Sequence, residues 1–547
     1  MATCVTRLTA SCGDRAEPTI VSVSWLPHHR RFHATYHDAM RIRVRTVIVF
    51  AALLLAAASS SSVVHSQAGP SASRWLIRNA RLVDGTGGPS RTGDLRVRDG
   101  RIAAIGALSP EAGETVVDAQ GFVLAPGFID THSHHDRSLQ AAREGLALLS
   151  QGVTTIVIGQ DGGGTNVRGL FDRLTREPAS VNVATFAGHG PLREAVMGSD
   201  TKRKATPAEV AKMQALLKAE LDAGALGLST GLEYDPGIYS DPSEVLALAK
   251  TAADAGSRYV SHIRSEDRDF WQALDEVVTI GRTNRMPVQV SHIKLGMLDL
   301  WGQADKAIAV LDRARASGVD ITADLYPYTY WQANLGVFFP KRNFADRAEA
   351  TFVLEHVTRP DGIIINNMRA HPDYSGKTLA EIAALRKVAP VDALLALLAE
   401  PGGPDASIVA RGMDDRDVSA LMRWSFTNIC SDGMSTGLHP RGFGSFPKVL
   451  GRYVRDERVF PLEEGVRRMT SLAAANVGIA GRGTLAVGQA ADLTLFDPAT
   501  VRDHADFGKA QAQATGIDRV WVNGELVFAQ GAPLRVYSGV GLRRAIR

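Results

Sequence analysis

Eight short apolar runs recur between residues 127 and 432, most of them separated by a helical pattern. They are GFIDTHSH, VTTIVIGQ, VNVATFAGH, ALGLSTG, RYVSHIR, PVQVSHIK, VDITADLYPY and SFTNICSD. Runs of this length, rich in Val and Ile, suit strands buried on both faces of a parallel sheet. The intervening stretches, such as PAEVAKMQALLKAELDAG and PSEVLALAKTAADAG, open near Pro or Ser and close at Gly, as helices do. Eight such βα units predict an α/β fold, a (β/α)8 TIM barrel whose chemistry lies at the C-terminal ends of the strands.

The two ends of the chain read differently. RWLIRNARLVDG, DLRVRDGRIAAIG and ETVVDAQGFVLA near the start, and GTLAVGQAADLTLFD and GIDRVWVNGELVFAQG near the end, alternate polar and apolar residues around turn signals. They predict a small β-sandwich built from both chain ends, residues 69–126 and 481–547, flanking a catalytic barrel over 127–480. The long interval 331–425, between the last two strands, carries its own helices and is expected to stand over the barrel mouth as a lid or substrate wall.

Ahead of this lies a segment set aside from fold reasoning. Met40 precedes RIRVR, TVIVFAALLLAAA and SSSSVVHSQA, the basic, apolar and small-residue parts of a secretory signal peptide over 40–68. Its apolar part is short for a membrane span. Residues 1–39 then read as an upstream extension, and the mature protein as secreted or periplasmic, without a stable membrane anchor. The three cysteines, Cys4, Cys12 and Cys430, exclude a disulfide framework and show no zinc-finger spacing. With 61 basic and 58 acidic residues the charge is too balanced for a nucleic-acid binder. Small-molecule chemistry is the class left; oligomeric state is not readable.

That chemistry collects at the strand ends. His132 and His134 end the first run two residues apart, so they share a face and can bind one borderline metal such as zinc. His135 is expected to point away. Asp161 ends the second run, His189 the third, His262 the fifth, His292 the sixth and Asp432 the eighth. His262 and His292 sit in parallel phrases, YVSHIRSE and QVSHIKLG, one βα repeat apart. Asp432 in CSDG suits a turn aspartate when taken alone. Beside four histidines it suits a metal ligand and proton acceptor. GQDGGG lacks the lysine and spacing of a phosphate loop.

Taken together, GFIDTHSHHD, GVTTIVIGQDGGG, AGHGPLREAVMG, GLSTGLEYDPGIYS, SHIRSE, SHIKLG, DLYPYTY, HPRGFGSFPKVLGRYVRDE, MTSLAAANVGI and GTLAVGQAADLTLFDPATV resemble the N-acyl-D-amino-acid deacylases (D-aminoacylases) of the amidohydrolase superfamily, in order over residues 75–547. The resemblance implies hydrolysis of N-acyl-D-amino acids to a carboxylate and a free D-amino acid. It implies one or two Zn2+ ions. One is held tightly by His262, His292 and the residue at Asp161; the second, weaker position is His132, His134 and Asp432, with Asp432 as catalytic base and acid. Lys294 matches a lysine that holds the substrate carboxylate, and Tyr326 and Tyr234 fall in pocket motifs. His189 either hydrogen-bonds the tetrahedral oxyanion or only shapes the third-strand loop.

One departure stands out. Asp161 occupies the place of a cysteine in the best-known members. A carboxylate is a harder ligand than a thiolate, so another divalent metal such as manganese or cobalt becomes acceptable. Asp161 is expected to bind or bridge metals; the alternatives are a plain turn residue, or Glu233 as a more distant ligand. No lysine stands at the fourth strand end, which argues against hydantoinase-like chemistry. Arg193 and Arg264 are expected to pair with acids such as Glu194 or Glu266, and Cys430 to be a small buried hydrophobe. Two other readings remain at this stage: a D-specific or β-linked dipeptidase of the same superfamily, and a non-catalytic periplasmic binding protein.

Overall fold

A computed structural model describes residues 73–164 and 166–544. The expected signal peptide at 40–68, the extension before it, Cys4 and Cys12 lie outside the described residues. Each of the eight apolar runs becomes a parallel strand. They are Phe128–Asp130, Val153–Ile158, Asn182–Thr185 (continued by Ala187–Gly188), Gly227–Gly231, Arg258–His262, Val288–Val290, Ile321–Leu325 and Thr427–Ile429. Val153–Ile158 and Gly227–Gly231 are buried at every position, the pattern expected of strands covered on both faces.

The first three strands pair in one parallel sheet; the strands from Ala187 onward pair in a second, in chain order. The Phe186 N–H donates to the Ile158 carbonyl at 3.0 Å, linking third strand to second. Beyond the last strand, the Asp432 N–H donates to His132 O at 2.8 Å and the His134 N–H to Gly433 O at 2.9 Å. The segments following the first and eighth strands therefore run side by side, which brings their polar ends together.

The helices between strands have the predicted punctuation. In Pro207–Ala223, Thr206 and Glu209 form a reciprocal capping box, Pro207 opens the first turn and Gly224 closes the helix in a left-handed conformation. Such a cap stabilises a helix by about 1 kcal/mol. Its buried face, Met213, Leu217 and Leu221, packs into the large apolar cluster shared by the strands and the other helices.

The two chain ends join in one nine-stranded sheet. The junction is antiparallel: Val123–Pro126 lies against Leu493–Phe496, with Leu124 opposite Leu495. Ile77, Leu82, Leu95, Leu493, Leu495 and Trp521 are buried together beneath it. Between the seventh and eighth parallel strands, Tyr330–Asn334, Ile363–Asn367 and Ser407–Arg411 form a separate antiparallel sheet with Ser407–Arg411 at its centre, accompanied by helices Leu379–Arg386 and Pro390–Ala399.

Candidate metal centre

Asp161 is the hinge of the site. Its Oδ1 lies 3.3 Å from His132 Nε2 and 3.2 Å from His292 Nε2, while its Oδ2 lies 3.2 Å from His134 Nε2. Asp432 faces it across the histidines, with Oδ1 at 3.2 Å from His134 Nε2 and 3.6 Å from His132 Nε2. His262 Nδ1 is 3.1 Å from His292 Nε2. Among the described residues three groups of ligand atoms result, each within 4.8 Å: His132, His134, Asp161 and Asp432; Asp161, His262 and His292; and, on the outer side of His262, Glu233, His262 and Glu266. The six residues of the first two groups come from strand ends one, two, five, six and eight, so only tertiary packing brings them together.

Their chemistry fits a divalent cation. His132 is fully buried and, among the described residues, neither of its ring nitrogens makes a hydrogen bond, Asp161 Oδ1 approaching Nε2 only as an ion-pair contact at 3.3 Å. A buried donor or acceptor without a partner is costly, and a metal at this position would satisfy it. Imidazole nitrogens with carboxylate oxygens form a ligand set suited to zinc, manganese or cobalt.

Burial and neighbouring charges shift several of these groups in opposite directions. Burial works against the charge of His134, but its hydrogen bonds to Asp161 and Asp432 prevail and push its pKa up to about 10. Burial and the nearby Lys294 cation oppose the charge of His292; Glu266, Asp161 and Asp432 outweigh them and raise it, also to about 10. Burial likewise opposes ionisation of Asp161, yet His132 and His292 hold it well below the usual carboxylate range. For Asp432 the same burial is outweighed by the Arg441 guanidinium and by His292.

The backbone is shaped to present these groups. Asp161, His292 and Asp432 all have left-handed φ values, 54°, 33° and 49°. A non-glycine residue held there costs on the order of 1–3 kcal/mol, and such positions cluster at functional sites. Asp161 is fixed by its neighbours: the Gly162 N–H donates to Ser229 Oγ at 3.0 Å, and a Cβ at Gly231 would fall 2.2 Å from the Asp161 carbonyl. Beneath the cluster, buried Asp324 accepts from the His292 N–H and from Gln289 and Thr131.

A further layer orients the histidines. His262 Nε2 pairs with Glu233 Oε2 at 2.8 Å, so Nδ1 is the nitrogen turned to the cluster. His292 Nδ1 lies 3.1 Å from Glu266 and 2.7 Å from Lys294 Nζ. Lys294 also donates to both Glu266 oxygens, at 2.6 and 2.7 Å. Tyr234 packs its ring 4.2 Å from His262. Tyr326 is buried, its hydroxyl without a partner among the described residues and its ring 6.5 Å from His292. Lys294 and Tyr234 line a pocket beside His292 and Asp432.

Other residues stand elsewhere. His189 is buried in a network of its own: Nε2 meets Glu244 at 2.7 Å, and Arg193 binds the same carboxylate. This ties the third-strand loop to helix Pro242–Asp254. His135 bonds Ser133 Oγ at 3.0 Å. Arg193 and Arg264 do pair with acids, but with Glu244 and Glu276 instead of Glu194 and Glu266. Cys430 is buried, its thiol near Asp324.

Sequence reasoning passed over Arg441 and Glu266 as site residues. Arg441 is buried, binds Asp432 Oδ2 at 2.5 Å and stacks 4.8 Å from the Tyr326 ring. Its signal was an arginine nine residues after Asp432, within HPRGF. Glu266 lies four residues after His262, within SHIRSE.

This geometry has close counterparts. A family profile described as Amidohydrolase family matches residues 115–385 and 419–528. A D-aminoacylase from Alcaligenes xylosoxydans xylosoxydans is 36% identical over 496 residues, covering 86% of this chain and 97% of the relative. The chain belongs to the amidohydrolase family. Within that family it groups with the D-aminoacylases. An N-acyl-D-glutamate deacylase from the same organism is 36% identical over 84% of this amidohydrolase and 94% of the relative. Among solved structures, a D-aminoacylase studied for its binuclear metal centre superposes with a TM-score of 0.78 at 35% identity, over 86% of this chain and 99% of that one. The N-acyl-D-glutamate deacylase of Bordetella bronchiseptica, in complex with zinc and a phosphonate mimic of the tetrahedral intermediate, gives 0.77 at 37%, with the same coverage. The amidohydrolase fold of this chain is thus the fold of the D-aminoacylases.

Proposed function

We propose that this amidohydrolase hydrolyses the amide bond of N-acyl-D-amino acids, releasing a carboxylate and a free D-amino acid, with one or two zinc ions or another divalent metal as cofactor. The observation that carries this is the single carboxylate of Asp161 reaching both histidine groups while Asp432 faces them. His262, His292 and Asp161 would hold one ion, and His132, His134, Asp161 and Asp432 a second. A divalent metal bound there supplies acidity to a water and polarises an amide carbonyl.

The chain's own groups do the rest. Asp432 turns Oδ1 to the histidines and is held at Oδ2 by Arg441, so one oxygen is positioned to take a proton from water and return it to the departing nitrogen. Lys294, Arg441 and the unpartnered Tyr326 hydroxyl are donors suited to a substrate carboxylate. Tyr234 walls the pocket beside His262. His189, engaged with Glu244, acts by fixing the third-strand loop. A non-catalytic binding protein would lack a ligand or the base, and neither is missing.

The same proposal covers the architecture. The eight parallel strands close as a (β/α)8 barrel over 127–480, supported by the pairing of the segments after strands one and eight. The insertion at 331–425 walls the mouth, and residues 69–126 and 481–547 make the β-sandwich domain. A signal peptide over 40–68 directs the mature chain to the periplasm or exterior.

The test is amine release from matched N-acetyl-D- and N-acetyl-L-amino acids by the purified protein, with zinc, manganese or chelator. Turnover confined to D substrates and abolished by chelation is the expected result. Equal turnover of both enantiomers, or activity that survives chelation, contradicts the reading.

A further inference from the structure

The cleft on the open side of the cluster is far larger than an acetyl group requires. It measures about 720 Å³, and His134, Asp161 and Asp432 stand in its wall. The remainder of that wall mixes apolar residues such as Val337, Phe344 and Met434 with charged and polar ones, Lys202, Asn334, Arg342 and Asp405. A long alkyl chain would leave such groups without partners, at a cost in binding. Along one side runs the strand Tyr330–Asn334, whose Gln332 and Ala333 line both this cleft and the pocket beside Lys294.

Among the described residues that strand is the edge of its sheet, paired only with Ser407–Arg411. Its backbone polarity can be read from the bonds at its ends. The Thr329 carbonyl accepts from the Gly412 and Met413 N–H groups at 3.1 Å each, and the Leu335 N–H donates to Ala406 O at 2.8 Å. Odd-numbered positions therefore face the partner strand. The Tyr330 carbonyl accepts from His439 Nε2 at 2.8 Å on the opposite side. Alternation in an antiparallel ladder then turns both the N–H and the C=O of Gln332 outward. Exposed edges are ordinarily blunted by proline, bulges or charge. Here the Tyr330 end is covered by His439, whereas among the described residues the main chain of Gln332 makes no hydrogen bond and Gln332 lines the cleft beside Asp432.

We infer that the acyl half of the substrate is a peptide: an extended chain, ending in the D-amino acid to be released, that pairs main chain to main chain with Gln332 on this edge. Strand addition of this kind draws affinity from backbone hydrogen bonds and tolerates varied side chains. The reaction is one hydrolysis. Water adds a hydroxyl to the carbonyl carbon and a proton to the leaving nitrogen, the C–N bond breaks, and a shortened peptide and a free D-amino acid leave. The inference rests on the deacylase reading and narrows its acyl group.

The experiment compares kcat/KM of the metal-loaded protein on one D-amino acid carrying acetyl, acetyl-Gly, acetyl-Gly-Gly, acetyl-Gly-Gly-Gly or octanoyl. Two added backbone hydrogen bonds predict a rise of about tenfold or more from acetyl to the best peptidyl group, and no such rise for octanoyl. N-methylation of successive peptide nitrogens should abolish the gain at one position. Gln332→Pro, a substitution edge strands accept, should lower the peptidyl-to-acetyl ratio in protein of unchanged metal content; if that variant does not fold, the N-methyl series decides. A flat series, or octanoyl as the best acyl group, overturns the peptide inference while the deacylase reading stands. Silence on every substrate by folded, metal-loaded protein overturns both.

Discussion

Glu233 Oε2 lies 2.8 Å from His262 Nε2, and this one hydrogen bond decides which ring nitrogen His262 offers to the cluster. A carboxylate bonded to the far side of a ligating imidazole fixes its tautomer and raises its basicity. Glu233→Gln, which keeps shape but removes charge, should therefore weaken metal binding roughly 10- to 100-fold. Competition with a chelator of known affinity measures it. Unchanged affinity would make Glu233 a pocket residue only.

Asp432→Asn should lower kcat by about 10²–10⁴-fold, the usual worth of a positioned acid–base group, with the thermal transition of the protein retained. Metal content measured alongside separates loss of the base from loss of a ligand. Turnover within twofold of the parent at full metal occupancy would remove Asp432 from the chemistry.

Metal binding should release protons. Against the effect of burial, hydrogen bonds to Asp161 and Asp432 raise His134 to about 10, so it carries a proton at neutral pH. A ligating imidazole must be neutral, so a metal taken up by His134 displaces that proton and affinity rises with pH. Calorimetry in buffers of different ionisation enthalpy counts the protons released. Linkage gives the converse for metal-free protein: His134 contributes stability that is complete below its unfolded value of 6.5 and is lost as pH climbs through about 10.

The His189 network predicts the opposite slope. Burial pushes His189 below 6.5, and although burial of Glu244 works the other way, His189 and Arg193 hold that carboxyl below 4.5. Both bind fewer protons folded than unfolded. Their stabilisation is present above the unfolded values and declines as pH falls below 6.5 and then 4.5. His189→Ala should cost about 1–3 kcal/mol at neutral pH by stripping Glu244 of a partner. The thermal transition of the variant should also vary less between pH 7 and 5.5 than that of the parent. Matching pH slopes in the two proteins would contradict this role.

What could be read without coordinates was what local sequence determines. The strands announced themselves because apolar runs buried on both faces need no knowledge of their neighbours. His132, His134, Asp161, His262, His292 and Asp432 were legible because each falls at or just past the end of such a run. Lys294's pairing with Glu266 and Arg441's grip on Asp432 were not, since both depend on how loops from different strands meet. The free edge at Gln332 lay further from view: it follows from which strand Tyr330–Asn334 does not pair with, a property of the whole insertion. For the same reason the joining of both chain ends was legible as alternation, while the register that sets Leu124 opposite Leu495 was not.

The most direct test of the central claim, that Asp161 completes a hydrolytic metal site for both histidine groups, is titration of metal-free protein with zinc or manganese while D-substrate hydrolysis and bound metal are followed together, for the parent and for Asp161→Ala. The account predicts that activity in the parent rises to a break at one or two ions per chain, and that Asp161→Ala binds neither ion tightly and stays inactive. Tight binding and undiminished turnover in Asp161→Ala would contradict it.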